Sequence, residues 1–319
     1  MTRRWGAGPA VGFVFVGLAC QEIGASVAVL LFPAVGPLGM VMLRLVFAAV
    51  VLLLISRPTL RGHGRSAWTA VVQFGVVLAV MNGLFYLALE RLPLGVTVTI
   101  EVLGPLVLSI VAARRASAWI WALLAFAGVA ALGGGGWERL DLLGVLFALG
   151  AAVAWAFYIL SSARVGREFA RLDGLALAMA VGAVLSLPFG IADAGAALLR
   201  PDLLALGFAV AMLSSTVPYA FELVALRRLA ASVFAILMSL GPAIASIAGF
   251  LLLGQHLNLL EGAGIALVIV ASIGAVLTGA RRGPGGGRSG ASGSSAGRSG
   301  SSGESGPSGT PVPPAEPLA

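Results

Sequence analysis

Residues 89–112 read LERLPLGVTVTIEVLGPLVLSIVA, and residues 226–249 read LRRLAASVFAILMSLGPAIASIAG. The two segments align without a gap and share a Gly-Pro pair in the middle and a Ser-Ile pair towards the end. Matching segments in the two halves of a chain indicate an internal repeat. Each half of this chain is therefore predicted to contain one copy of the same structural unit.

The composition indicates a membrane protein. Of the 319 residues, 59% are hydrophobic and 10% are charged, and the mean hydropathy is +1.02. Soluble domains carry about 25% charged residues, so the fold class predicted here is an all-α polytopic membrane protein. The net charge of +7 reflects 20 basic residues, all arginine, in short loops between apolar runs. This placement favours the bilayer surface over nucleic acid as their partner.

Ten apolar segments have about 20 residues, which is the length that crosses a bilayer. They are residues 10–32, 38–56, 67–89, 95–113, 117–135, 142–162, 174–192, 203–225, 232–253 and 259–280. The first resembles a signal peptide, but its apolar run exceeds the roughly 7–15 residues of a signal peptide's hydrophobic region. We therefore interpret it as a retained span. The short connections leave no room for a soluble domain.

The ten spans divide into two five-span repeats, residues 10–135 and residues 142–280. Because five is an odd number, the second copy is predicted to enter the membrane upside down. Residues 283–319 are rich in Gly, Ser and Pro, cannot bury enough apolar surface to fold, and are predicted to form a disordered cytoplasmic tail.

The arginines predict that the N- and C-termini are both cytoplasmic, because Lys and Arg accumulate in cytoplasmic loops. Arg91, Arg139 and Arg200 fall on the opposite side, Arg44 lies within a span, and the rest of the 20 fall on the side of the termini. Inverted repeats are typical of secondary transporters, in which the substrate site lies between the halves and alternating access follows from the symmetry. Duplicated scaffolds and some channels share this architecture and remain the alternative.

The Gly-Pro pair predicts a bend in the same span of each half. Proline has no N–H to donate, and its ring crowds the carbonyl four residues back. Gly104 and Pro105 in the first half, and Gly241 and Pro242 in the second, are therefore predicted to be helix hinges or parts of a cavity wall. A packing kink is the simpler alternative.

Three charged residues, Glu22, Arg44 and Glu101, lie well inside spans, where a charge costs on the order of 3 kcal/mol unless it faces water or a partner. Glu101 and Arg44 each lie six residues into a span, roughly 9 Å along the helix axis. We predict that both line the outer part of a central cavity and pair when the site is empty; a purely structural ion pair is the alternative. Glu22, among small residues in the first span, is a second cavity candidate or a buried polar contact.

Further polar and aromatic residues within the spans are candidates for the substrate and proton pathway. They are Asn82, Tyr86, Trp155, Tyr158 and Tyr219. Such residues also form hydrogen bonds between helices, which is the alternative role.

No cofactor is expected. Cys20 is the only cysteine, so an intrachain disulfide is excluded, and neither His63 nor His256 has a second ligand at metal-binding spacing. The sequence contains no catalytic Ser/His/Asp cluster, which argues against an enzyme.

Five segments of the chain resemble the EamA-type family of the drug/metabolite transporter superfamily. They are GASVAVLLFPAVGPLGMVMLRL (24–45), MNGLFYLALERLPLGVTVTIEVLGPL (81–106), GAAVAWAFYILSSARVG (150–166), STVPYAFELVALRRL (215–229) and LMSLGPAIASIAGFLLLGQHL (237–257). The resemblance implies ten spans in two inverted repeats, a multi-pass location in a bacterial-type inner membrane, and export of small amino acids such as threonine or homoserine, or of related metabolites, driven by proton exchange.

Two departures from the family pattern bear on the coupling site. The family usually has Glu-Pro where this chain has Gly241-Pro242, and Gly-Glu where it has Gly254-Gln255. The missing carboxylates shift the expected coupling role to Glu101 and Glu22, with Arg44 expected to attract the substrate carboxylate. Efflux of lipophilic cations or drugs, and a non-transporting membrane scaffold, are the alternative functions.

Overall fold

The computed structural model describes residues 7–113, 118–132, 141–169, 172–218, 221, 229 and 231–280. These residues form helices and their connections and contain no β-strand. All of them belong to one unit, Met1–Gly283. The second unit, Pro284–Ala319, contains most of the predicted tail and lies outside the described residues.

Twelve α-helices are present in this part of the chain. They are α1 (Ala7–Val35), α2 (Pro37–Ser56), α3 (Arg65–Leu89), α4 (Leu94–Glu101), α5 (Leu103–Ala113), α6 (Ala118–Leu132), α7 (Leu142–Glu168), α8 (Asp173–Ala194), α9 (Pro201–Ala211), α10 (Ala231–Met238), α11 (Gly241–Leu253) and α12 (Leu259–Ala280). A 3₁₀-helix, Gly195–Leu199, follows α8, and a π-helical turn, Met212–Thr216, follows α9.

Eight helical segments within the described residues are long and apolar enough to cross a membrane. They are Val11–Val35, Pro37–Ser56, Arg65–Leu89, Leu94–Ala112, Leu142–Glu168, Asp173–Leu199, Val233–Leu253 and Leu259–Thr278. Two shorter apolar helices, Trp119–Leu132 and Pro201–Thr216, fall within the predicted fifth and eighth spans. The count of ten spans stays a prediction, because residues at the ends of these two segments lie outside the described part of the chain.

The fourth span is interrupted where the sequence predicts a bend. Helix α4 ends at Glu101, which is four residues before Pro105, and α5 begins at Leu103. The equivalent break separates α10 from α11 and precedes Pro242. Since neither proline has an N–H to donate to the carbonyl four residues earlier, the helix hydrogen-bond ladder is broken at this point. The predicted interruptions are confirmed; whether they act as hinges stays a prediction.

Helices of the two halves pack against each other in pairs. Helix α2 lies along α8, α4 packs on α11, and α6 packs on α12. Small residues allow the last of these close contacts: a Cβ atom added at Gly128 would lie 2.7 Å from the carbonyl oxygen of Gly264. The largest buried cluster includes Met40, Leu45 and Leu78 and lies among α2, α3 and α8.

Two contacts between the halves fix the starts of α2 and α4. The carboxylate of Asp193 accepts hydrogen bonds from the backbone N–H groups of Leu38, at 2.8 Å, and Gly39, at 3.2 Å. The side-chain oxygen of Gln255 accepts a hydrogen bond from the N–H of Leu94 at 2.9 Å. The first N–H groups of a helix have no acceptor within the helix, so each contact supplies a missing partner. These contacts anchor the helices that carry Arg44 and Glu101.

Candidate functional site

A cavity of about 410 Å³ lies between helices of both halves. Its wall is mainly apolar and aromatic with a few charged and hydroxyl groups, which is the usual character of a small-molecule site. The lining residues are Gln21, Glu22, Arg44, Met81, Asn82, Phe85, Glu101, Val102, Pro105, Leu106, Ser109, Trp155, Tyr158, Ile159, Ser214, Phe234, Ala235, Met238, Ser239, Ser272 and Val276.

Arg44 reaches this cavity from α2, and among the described residues three groups accept hydrogen bonds from it. Its Nε donates to Ser215 Oγ at 3.1 Å, its Nη2 donates to the backbone carbonyl of Ser214 at 3.0 Å, and its Nη1 donates to the hydroxyl of Tyr86 at 3.3 Å. The guanidinium carbon also lies 5.6 Å from the centre of the Tyr86 ring. These contacts fix the direction in which the guanidinium points.

The acceptors from Ser214 and Ser215 come from the π-helical turn after α9. Such turns often occur at functional sites, because the extra residue changes the direction of nearby carbonyls and side chains. The turn lies close to α1: a Cβ added at Gly24 would be 3.0 Å from the Cβ of Ser214. The local geometry thus brings α1, α2 and the π-turn together beside the cavity.

Glu101 and Glu22 place two carboxylates in the same cavity as Arg44. Glu101 is the last residue of α4, at the helix break, and is partly buried. Glu22 lies on α1 with 2% of its surface exposed, and its Oε2 has no hydrogen-bond partner among the described residues. Both carboxylates lie within electrostatic range of Arg44.

The predicted direct pair between Arg44 and Glu101 is not formed in this structure. The ion pairs within the described part of the chain are Arg91 with Asp141 and Arg200 with Asp202, both on exposed surfaces. The π-turn and Tyr86 take up donors of Arg44 instead. Sequence analysis could not anticipate this, because the serines are about 170 positions away along the chain.

Aromatic side chains form another part of the cavity wall. Trp155 and Tyr158 project from α7, and Phe85 and Phe234 come from α3 and α10. Tyr158 also packs against Phe74, with ring centres 5.1 Å apart.

Three further candidates have different positions. Asn82 lines the cavity, but its amide donates to the Leu78 carbonyl of its own helix and does not link two helices. Tyr86 is fully buried and does not line the cavity; it contacts the site through Arg44. Tyr219 lies outside the described residues.

Of the four residues in the two Gly-Pro pairs, one lines the cavity and three do not. Pro105 lines the cavity, whereas Gly104 packs against α7, where an added Cβ would overlap the carbonyl oxygen of Ala152. Gly241 and Pro242 are buried outside the set of lining residues.

Two named relatives cover most of the chain. The threonine/homoserine exporter RhtA of Escherichia coli (strain K12) is 36% identical over 267 residues, which are 83% of this chain and 90% of the relative. RhtA of Salmonella typhimurium (strain LT2) is 36% identical over 273 residues, 85% of this chain and 92% of the relative. The profile described as the EamA-like transporter family matches residues 142–277.

The chain belongs to the EamA-like transporter family. The resemblance seen in the sequence is thereby confirmed, and the apolar helices make the protein a multi-pass protein of the bacterial inner membrane. A solved structure titled "Crystal structure of protein" has a TM-score of 0.56 with 18% identity and covers 85% of this chain and 98% of its own. This match supports the fold alone.

Several lining residues of this EamA-like chain were missed by sequence analysis. They are Gln21, Phe85, Ser109, Phe234, Met238, Ser239 and Ser272, among others. The repeat contained the signal for one of them, since Met238 is the counterpart of Glu101 and both line the cavity. Ser272 lies in an ordinary apolar helix, and nothing in its local sequence distinguishes it.

Proposed function

We propose that this protein exports small amino acids of the threonine and homoserine type, by proton antiport with alternating access. The observation that carries the proposal is the presence of one guanidinium and two carboxylates in a single cavity of about 410 Å³. An amino acid at neutral pH is a zwitterion with one carboxylate and one ammonium group, which this set of charges complements. The names of the RhtA relatives point to the same substrates.

Arg44 is the proposed partner of the substrate carboxylate. A guanidinium presents planar, paired N–H donors that suit a carboxylate. Ser215, Ser214 and Tyr86 hold Arg44 in position before substrate binds, which reduces the entropy lost on binding. The substrate ammonium group then faces Glu101 or Glu22.

The two carboxylates are the proposed coupling groups. A bare carboxylate within a bilayer is costly, so each is stabilised by a proton or by a cation. When the substrate ammonium leaves, a proton takes its place on the carboxylate, and this exchange links proton entry to substrate exit. Glu101 is the first candidate because it lies at the helix break and its repeat counterpart, Met238, is apolar. Glu22 is the second.

Ten spans in two inverted repeats, residues 10–135 and 142–280, are the architecture proposed for this mechanism. The packing supports it, because contacts between helices occur in symmetric sets: the second span packs on the seventh, the fourth on the ninth and the fifth on the tenth. The third span packs on the sixth, as the first does on the eighth. The family profile also begins at the first residue of the second repeat.

Alternating access in this proposal uses the helix breaks before Pro105 and Pro242 as hinges. Each break lacks one backbone hydrogen bond, so bending there disrupts fewer interactions than elsewhere in the span. The arginine distribution supports cytoplasmic termini, which places the amino-acid supply on the side of the tail, residues 283–319.

Inside-out membrane vesicles with an acidic interior test the function. Vesicles containing the protein are expected to accumulate labelled threonine and homoserine, and a protonophore should abolish the accumulation. Equal uptake by vesicles without the protein would contradict the proposal. Uptake of a lipophilic cation without uptake of amino acids would instead support drug efflux, which the aromatic wall could also serve.

Charge-neutral variants separate coupling from binding. Glu101→Gln should abolish gradient-driven accumulation yet keep exchange of labelled for unlabelled threonine, whereas Arg44→Gln should raise KM in both assays. Glu168→Gln, at the exposed end of α7, is the matched control and should behave like the wild type. Normal accumulation by Glu101→Gln would transfer the coupling role to Glu22, for which the same pair of assays applies.

A further inference from the structure

Four serines line the cavity, and the hydroxyl of only one of them lacks a partner among the described residues. Ser214 Oγ donates to the Val210 carbonyl at 2.7 Å. Ser109 Oγ donates to the Leu106 carbonyl at 2.7 Å, and Ser239 Oγ donates to the Ala235 carbonyl at 2.9 Å. Ser272 is 7% exposed, and its Oγ has no hydrogen-bond partner in the described part of the chain. A buried hydroxyl without a partner is unfavourable, because it loses its hydrogen bonds to water.

Ser272 lies on a different helix from the charged residues. Glu22, Arg44 and Glu101 come from α1, α2 and α4, whereas Ser272 lies on α12 with Val276 one turn further along the same face. The backbone charges of a bound amino acid and its side chain therefore meet different parts of the cavity wall. On α12 the lining of the cavity combines the hydroxyl of Ser272 with the apolar side chain of Val276.

We propose that Ser272 determines specificity by forming a hydrogen bond with the side-chain hydroxyl of the substrate. This inference rests on the proposed export of threonine and homoserine, which both carry such a hydroxyl. A serine can donate to or accept from that group, because a hydroxyl does both. Sites built to bind a substrate hydroxyl reject the analogue that lacks it, since their own polar group is then left without a partner.

2-Aminobutyrate is the suitable probe, because removing the hydroxyl from either threonine or homoserine produces it. Initial rates of uptake into inside-out vesicles give Vmax/KM for labelled homoserine, threonine and 2-aminobutyrate. The wild type is expected to prefer the hydroxylated substrates by about tenfold, the effect of one good hydrogen bond. If the wild type transports 2-aminobutyrate and homoserine with equal Vmax/KM, the inference is overturned before any variant is made.

Ser272→Ala tests the residue itself. It should bring the ratio of Vmax/KM for homoserine to that for 2-aminobutyrate close to one, by a loss for homoserine and a gain for 2-aminobutyrate, because no hydroxyl of the protein is then left without a partner. Ser109→Ala is the matched control, because that hydroxyl is already bonded to its own helix, and it should keep the wild-type ratio. Ser272→Ala with the wild-type ratio would refute the role of Ser272 while leaving the exporter proposal intact. Failure of the wild type to transport any of the three amino acids would overturn both proposals.

Discussion

Replacing Gly104 with alanine is expected to destabilise the protein, whereas the same replacement at Gly241 is expected to be tolerated. The two glycines occupy equivalent places before the prolines of the two halves. A Cβ at Gly104 would overlap the carbonyl oxygen of Ala152 and lie 2.7 Å from the carbonyl carbon of that residue. At Gly241 the nearest atom of the described residues is Cγ1 of Val98, 3.9 Å from the added Cβ, which is an ordinary contact.

The size of the effect follows from what must move. The obstacle at Gly104 is the backbone of α7, so no side-chain rotation relieves it and the helices must separate by on the order of 1 Å. Overpacking of this kind lowers the free energy of unfolding by about 1–3 kcal/mol. The higher helix propensity of alanine raises it by about 1 kcal/mol and so offsets part of this loss. We expect a net loss of about 1 kcal/mol for Gly104→Ala, equivalent to an apparent Tm lower by about 2–4 °C. Gly241→Ala should be unchanged or slightly more stable.

Thermal unfolding of the purified protein in detergent, followed as the loss of the monodisperse peak after heating, measures this difference. Both variants are compared with the wild type at one heating rate, because unfolding of membrane proteins is commonly irreversible. Vesicle uptake adds a second reading, since Gly104 lies three residues after Glu101 and separation of α5 from α7 would displace the cavity wall. Equal apparent Tm values for the two variants would refute the reasoning from close helix approach.

Three further predictions concern helix termini. Asp193→Ala removes the acceptor for two N–H groups at the start of α2 and should cost about 1 kcal/mol; an unchanged Tm would contradict this. Gln255→Ala should lower the Tm, because it removes the acceptor for the Leu94 N–H at the start of α4. Gln255→Glu should preserve or raise the Tm, because a negative charge is favourable at a helix N-terminus. Equal Tm values for the two variants would count against a capping role of Gln255. The pKa of Asp141 is lowered by the hydrogen bond from the Gly144 N–H and then by Arg91. The ionised carboxylate therefore stabilises the folded state at pH values above its unfolded pKa of about 4. This stabilisation is lost as the pH falls through the lower pKa of the folded state. Asp141→Asn should therefore lose less thermal stability than the wild type between about pH 5 and pH 3, and an equal loss would argue against this contribution.

The positions of eight membrane-spanning segments, and the weakened helix before Pro105 and Pro242, could be predicted from local sequence. Apolar runs must form helices in a bilayer because their backbone groups have no water to bind. Pro105 and Pro242 each remove one hydrogen bond from the helix through their own covalent structure. Pro33 and Pro188 do the same inside α1 and α8, which continue past them, so the packing decides whether the helix is interrupted. The presence of Glu22, Arg44 and Glu101 in one cavity was also anticipated, since a charge within a span needs a partner or an aqueous space.

The partners of these residues could not be predicted in the same way. Arg44 was expected to pair with Glu101, yet it binds the π-turn at Ser214 and Ser215, because that contact depends on how α2 packs against a helix of the other half. Ser272 gave no signal because its importance lies in having no partner within its own helix, which only the positions of the surrounding atoms reveal.

The two Gly-Pro pairs show most clearly which properties follow from the sequence and which follow from the tertiary structure. Sequence alone determined that the helix is weakened before each of these prolines, because the missing N–H is a property of the residue itself. Only the tertiary structure decided that alanine is unfavourable at Gly104 and not at Gly241, because α7 lies against the first break and, among the described residues, no backbone lies equally close to the second. Identical local sequences thus carry different constraints, since the space around a residue is set by helices distant in the chain.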